Sequence, residues 1–266
     1  NNTYRFQLMG PDGETIWSKQ GLNLGSYNVS DMGYMVHKVG EYAGSLLHFY
    51  DKNGKLVGQY SDRGLMVGGG FLWWKEHQDK YIVGLSDGRT IIFNWDGTMA
   101  HTVSHPGFGW DNYIATTPEE IVLTGWEETG RVLLIIDKTG TIRKRMPWPT
   151  AVVEKAKRLG DNLLLITPLS CVLLNSRFET LFKYEYDSEE KKILIEDSTI
   201  SPSGDSIVVI RKRHPMDYYM DIIILDRQLK PKAQKALEGK KPSVRFLNET
   251  TIQMDTDDGA YEVTIK

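Results

Sequence analysis

Only one cysteine, Cys171, occurs in 266 residues. A lone cysteine can make neither an internal disulfide nor a cysteine-based metal cluster. Lying between Ser170 and Val172 in an apolar run, it reads as a small buried hydrophobe. No stretch approaches ~18 consecutive apolar residues, so no membrane-spanning helix is expected. The start, Asn1-Asn2-Thr3-Tyr4-Arg5, carries no signal-like apolar segment, although the missing initiator Met leaves room for a removed leader. The scarcity of cysteine and the lack of a visible signal favour the cytoplasm. Charge of one sign is lacking too: a net charge of −3 and a pI near 6.1 supply no field for capturing nucleic acid.

Reaction motifs are equally scarce. There is no Gly-x-Ser-x-Gly elbow, P-loop or dinucleotide fingerprint. Gly68-Gly69-Gly70 precedes Phe71-Leu72-Trp73-Trp74 in a strand pattern, not a helix, so it is no phosphate cradle. The histidines at 37, 48, 77, 101, 105 and 214 show no metal-ligand spacing. Asp255-Thr256-Asp257-Asp258-Gly259 lacks the downstream Glu of a calcium loop and reads as an acidic turn. These absences predict no cofactor, no resident metal and no catalytic residue.

What the chain has is a repeated phrase, an apolar run closed by Asp-x-x-Gly and followed by a second apolar run. It is intact at Asp51-Lys52-Asn53-Gly54 and Asp137-Lys138-Thr139-Gly140, and altered around Asp12-Gly13, Asp96-Gly97, Asn175–Phe178 and Asp226–Leu229. Between Gly13, Gly54, Gly97, Gly140, Phe178 and Leu229 the steps are 41, 43, 43, 38 and 51 residues. Short strands at a period of roughly 40–45 residues are the pattern of propeller blades. In the clearest unit, Leu65–Leu72, Tyr81–Leu85, Thr90–Asn94 and Met99–Val103 read as four successive strands. Ala151–Arg158, the best helical candidate, is short and reads as strand. The same four parts fit residues 113–146, 151–184 and 193–237.

At the ends, Tyr4–Met9 and Glu14–Lys19 read as a third and a fourth strand, and Ser243–Leu247 and Thr250–Asp255 as a first and a second. Ala260–Lys266 offers a third strand again. The expectation is an all-β chain, one domain over residues 1–266, built as a single β-propeller of four-stranded antiparallel blades. Six blades are expected, with seven as the alternative count. The ring would be closed by N- and C-terminal strands sharing one blade, which removes two sheet edges.

On these repeats, and on the turn Ser201-Pro202-Ser203-Gly204 between two apolar runs, the chain resembles the broad class of WD40-like, PQQ-like and TolB-like propellers along nearly its whole length. It departs from each. Trp95-Asp96 occurs once and in a turn, a Trp four residues after the turn Gly occurs only at Gly13…Trp17, and sialidase Asp-boxes are absent. The resemblance therefore implies a scaffold and no particular chemistry.

In such propellers, the loops between second and third strands, and between successive blades, make one face. Here they would comprise residues 17–27, 41–42, 104–112, 126–131, 147–149 and 211–221. The candidate binding residues are Tyr42, His105, Phe108, Trp110, Trp126, Arg131, Trp148, Arg211, Arg213, His214, Tyr218 and Tyr219. Trp, Tyr and Arg are the commonest interface anchors, so the expected function is a non-catalytic scaffold or adaptor for a protein or peptide partner. Two alternatives remain. One is a carbohydrate or small-ligand binder that uses the same aromatics. The other is a lactonase-like metal-dependent hydrolase that uses Glu41, Asp111, Glu127 and Glu196.

Overall fold

The recurring turn is built by its own Asp. In a computed structural model, the Asp51 carboxylate Oδ1 accepts the N–H groups of Asn53 and Lys55, both at 2.9 Å. The Gly54 N–H donates to the Asp51 carbonyl, and Asp51 N–H to the Lys55 carbonyl. Asp137, Asn175 and Asp226 hold the same two side-chain bonds to the second and fourth residues after them. The fourth turn residue has positive φ: 78°, 81° and 82° at Gly54, Gly97 and Gly140. At Phe178 and Leu229 the same conformation, φ 60° and 59°, is taken without glycine.

The structure describes residues 3–9, 15–22, 24–30, 33–39, 45–61, 73–77, 80–85, 88–105, 109–186, 194–212, 219–238, 242–256 and 259–265. Among them every regular element is a strand. These residues fall into two compact units, one of Asn1–Ile114 with Pro118–Pro147 and the other of Ala115–Thr117 with Trp148–Lys266.

In the first unit, β1 (Thr3–Met9) and β2 (Thr15–Leu22) form a two-stranded antiparallel sheet. Three four-stranded sheets follow in simple up-and-down order. They comprise β3 (Leu24–Ser30), β4 (Gly33–Val39), β5 (Ser45–Asp51) and β6 (Leu56–Ser61); β7 (Trp73–His77), β8 (Lys80–Gly84), β9 (Arg89–Asn94) and β10 (Met99–Ser104); and β11 (Gly109–Thr116), β12 (Glu120–Glu127), β13 (Gly130–Asp137) and β14 (Ile142–Pro147).

The second unit holds two more. One comprises β15 (Lys155–Leu159), β16 (Asn162–Ile166), β17 (Ser170–Leu174) and β18 (Thr180–Glu185). The other comprises β19 (Leu194–Ile200), β20 (Ser206–Lys212), β21 (Tyr219–Asp226) and β22 (Pro231–Glu238). Its last sheet is three-stranded: β23 (Ser243–Phe246), β24 (Thr251–Thr256) and β25 (Gly259–Thr264).

Several expectations change: of the expected loops, 109–112 lies in β11, and 126–127 and 130–131 lie in β12 and β13. The strand that pairs with β8 is Trp73–His77, not Leu65–Leu72, which lies outside the described residues. His77 pairs with Lys80 across a two-residue connection, and that short link fixes which segment lies beside β8. The stretch 17–27, expected as a loop, is mostly strand, because β2 runs on to Leu22 and β3 begins at Leu24.

Sheets stack face to face within each unit. Along β8 and β9, Tyr81, Val83, Ile91 and Phe93 pack with Leu47 and Phe49 of β5, while Ile82 and Ile92 pack on the other face with Ile121, Leu123, Val132 and Leu134. Strand alternation sends successive side chains to opposite faces, so a run buried at every position must be covered on both. In the second unit, Ile207 and Val209 pack with Leu164, Ile166 and Leu173, whereas Val208 and Ile210 pack with Val244, Ile252 and Met254.

Close approach sets a limit on side chains at the outer strand. A Cβ at Gly58 on β6 would collide with the Asp96 carbonyl oxygen in the following sheet's turn. Gly58→Ala is expected to lower stability by about 1–3 kcal/mol, the usual range for forced overpacking. Urea unfolding of the variant beside the wild type measures it; an unchanged midpoint would mean that the sheets can separate without cost.

Candidate functional site

Among the described residues, the β12–β13 hairpin carries the most exposed aromatic of the loop candidates, Trp126. Trp126 and Arg131 are direct cross-strand partners in register, one residue pair from the Glu127–Gly130 end of the hairpin. The Arg131 guanidinium carbon lies 4.3 Å from the Trp126 ring centroid, a cation–π stack. Trp126 is nevertheless 50% exposed. Beside it, Glu127 is held by Arg145 of β14, which donates Nε to Oε1 at 3.1 Å and Nη2 to Oε2. This two-point pairing fixes the hairpin end against the outer strand.

His105 lies beneath, buried, with Nε2 3.0 Å from the Thr90 hydroxyl. Burial pushes its pKa down to about 4, against a smaller opposing pull from the Glu127 charge. His105 is therefore a neutral, packed imidazole at pH 7.

Two other sequence candidates are buried. Trp148 is 4% exposed and donates its indole N–H to the Ala151 carbonyl at 2.9 Å. Arg211 is 1% exposed. It pairs with its cross-strand neighbour Asp221 at 3.1 Å and lies over the Tyr186 ring at 4.8 Å. The Tyr186 hydroxyl in turn meets Cys171 Sγ at 2.9 Å. Burial pushes the Cys171 thiol up to about 12, so it is inert at neutral pH. Residues 211, 212 and 219–221, expected in a projecting loop, belong to β20 and β21. Tyr42, Phe108, Arg213, His214 and Tyr218 lie outside the described residues. Trp110 and Tyr219 are placed by backbone only, on β11 and β21.

Of a charged network at and just before the first strands of the second unit's sheets, sequence reasoning singled out only Glu196. Glu154 Oε2 accepts the Ile195 N–H of β19 at 3.0 Å, and Asp197 Oδ2 accepts the Val244 N–H of β23 at 2.8 Å. Each carboxylate satisfies a backbone donor of the next sheet. Lys155 donates to Asp197 Oδ1 at 3.0 Å and to the Glu196 carbonyl at 3.1 Å, and Lys157 to the Ser198 carbonyl at 2.6 Å. A slip in the β19 ladder between Ile195 and Asp197 leaves Glu196 at the irregularity, with Lys212 Nζ 3.7 Å away. The available signal was four charges within the five residues 154–158 of an expected strand, and two more, Glu196 and Asp197, in the corresponding strand of the next repeat.

Burial pushes Glu154 up to about 7, with the Glu196 charge adding to it; the Ile195 N–H and Lys155 oppose the rise. Burial also acts to raise Asp197, but the Val244 N–H, Lys155 and the Ser198 N–H outweigh it and hold the group below the usual carboxylate range. Among the described residues no three His, Cys, Asp or Glu side chains are grouped to hold a metal ion, and no helix is long and apolar enough to cross a membrane.

Comparison with known proteins identifies the fold. No protein-family pattern and no curated protein matches the chain. Among solved structures, KlHsv2 with loop 6CD replaced by a Gly-Ser linker is similar at a TM-score of 0.59 and 11% identity, over 95% of this chain and 88% of that one. The Neurospora crassa Pan2 WD40 domain is similar at 0.56 and 14%, over 91% and 75%. The computationally designed Ika8 protein gives 0.58 and 11%, over 96% and 75%. The first two are β-propeller proteins, and the chain shares the propeller fold with them.

The two shifted groups give stability opposite slopes in acid. His105, lowered from 6.5 to about 4, favours folding above pH 6.5, a contribution lost as pH falls to 4. Glu154, raised from 4.5 to about 7, favours folding below pH 4.5, a contribution lost as pH rises to 7. Glu154→Gln keeps an acceptor for the Ile195 N–H and removes the charge. Its stability relative to wild type should therefore grow from pH 4.5 to 7, by at most about 3 kcal/mol. Denaturant midpoints across that range measure it; a difference independent of pH would show that Glu154 titrates normally.

Proposed function

We propose that this chain is a non-catalytic propeller that serves as a scaffold or adaptor, taking a protein partner on the hairpin end formed by Trp126 and Arg131. One observation carries the reading: an indole half open to solvent, already stacked under a guanidinium, on a hairpin fastened by Glu127 and Arg145. Such a residue presents a large, rigid contact area and loses little conformational freedom on binding. The five four-stranded sheets support a single domain of six blades. In that arrangement β1 and β2 join β23–β25 in the closing blade, with one strand to spare. Tyr42, Phe108, Trp110, Arg213, His214, Tyr218 and Tyr219 remain proposed members of the same face.

Affinity capture from the cells that make the protein tests the reading, comparing wild type with Trp126→Ala and Arg131→Ala by quantitative mass spectrometry. The same proteins should be recovered in all samples, at least about tenfold less with Trp126→Ala, the loss expected of an interface anchor. The denaturation midpoint should stay put, because Trp126 is half exposed. Undiminished capture by both variants would remove this hairpin from the interface. Loss of glycan-panel binding in the same variants, with protein capture intact, would replace the protein partner with a carbohydrate.

A further inference from the structure

We infer that a cleft in the second unit binds a phosphate-type oxyanion. The cleft, of about 210 Å³, is bounded by three turns. Arg158 comes from the end of β15 and Gly160 from the turn after it, Ser201, Ser203 and Gly204 from the β19–β20 turn, and Arg227 from the β21–β22 turn. It is smaller than the roughly 300–1,000 Å³ of pockets that take drug-sized ligands, so its occupant is a small group. Two guanidinium-bearing side chains on one small cleft select that group's charge. Arginine presents a planar fork of donors matched to the oxygens of carboxylate and phosphate.

The serine turn already holds an oxyanion of the chain's own. Ser203 donates its N–H to Glu249 Oε1 at 2.9 Å and its hydroxyl to Oε2 at 2.6 Å. Glu249 belongs to the connection between β23 and β24, so a carboxylate from the next sheet takes both donors of Ser203. Around it, Arg158 Nη1 donates to the Asp161 carbonyl at 2.7 Å, fixing one end of that side chain at the cleft. Lys232 adds a third cation to the turn, donating to the Asp205 carbonyl at 3.3 Å and the Ser206 hydroxyl at 3.0 Å. Glu249 thus acts as an internal competitor. A phosphate drawn in by Arg158 and Arg227 takes over the Ser203 donors as Glu249 leaves.

Titration calorimetry of the full chain with inorganic phosphate, at low ionic strength, tests this. Saturable binding is expected, weakened at least about tenfold in Arg227→Gln, as befits a lost charge-assisted bond. Glu249→Gln should bind several-fold tighter, because it removes the competing charge. No saturable heat in the millimolar range would overturn the proposal, as would Arg227→Gln binding as wild type or Glu249→Gln binding no tighter. Arg227 and Glu249 are exposed turn residues, and a thermal midpoint for each variant confirms the fold. O-phosphoserine, run in parallel, distinguishes the sources: tighter binding than inorganic phosphate identifies a phosphorylated side chain as the ligand, equal or weaker binding the free anion.

Discussion

The structure depends on burial of the middle strands from both sides. Residues such as Tyr81, Ile82 and Val83, or Ile207, Val208 and Val209, alternate faces and are buried on each. A sheet of this kind cannot stand alone, because one covering layer leaves half of its apolar side chains in water. Within each unit, a sheet of this kind therefore acts as core for its neighbours on both sides, as the β7–β10 and β19–β22 sheets do. Glu154, just before β15, and Asp197 of β19 then add direction to this non-directional attraction, each tying its sheet to one backbone N–H of the next.

The turns follow from the same constraint. Stacked sheets bring a turn of one against the outer strand of another, which leaves no space for a side chain at Gly58. Asp and Gly in the repeated phrase answer different needs. The Asp carboxylate satisfies two N–H groups that a tight hairpin would strand, and the glycine takes the positive φ that closes it.

Much of the fold was legible because its signals are local. The turn phrase and the strand alternation each lie within a few residues, and the repeat is their recurrence along the chain. The strand at Trp73–His77 was not, because Lys75, Glu76 and His77 look like loop residues, whereas Leu65–Leu72 has the apolar character of a strand. At the candidate site the outcome followed register. Trp126 and Arg131 could be paired from the hairpin alone. Arg211 could not: its character as a buried ion rests on Asp221 ten residues away and on Tyr186, the residue after β18. Trp148 shows the same limit, since composition marks an aromatic as a possible anchor but not whether its indole N–H already has a carbonyl to meet.

Leu229 closes its turn in the conformation that glycine favours, yet its side chain is buried with Leu159, Ile207 and Leu225. That residue is at once a hinge of the backbone and a plug in the core. Restoring the repeat's consensus glycine there would relax the turn and open a void among those neighbours, two effects of opposite sign. Averaging the repeats into one idealised unit would therefore erase information at this position. The departure from the pattern marks where this sheet has traded backbone ease for packing; Phe178, its counterpart one sheet earlier, departs likewise but is only half-buried.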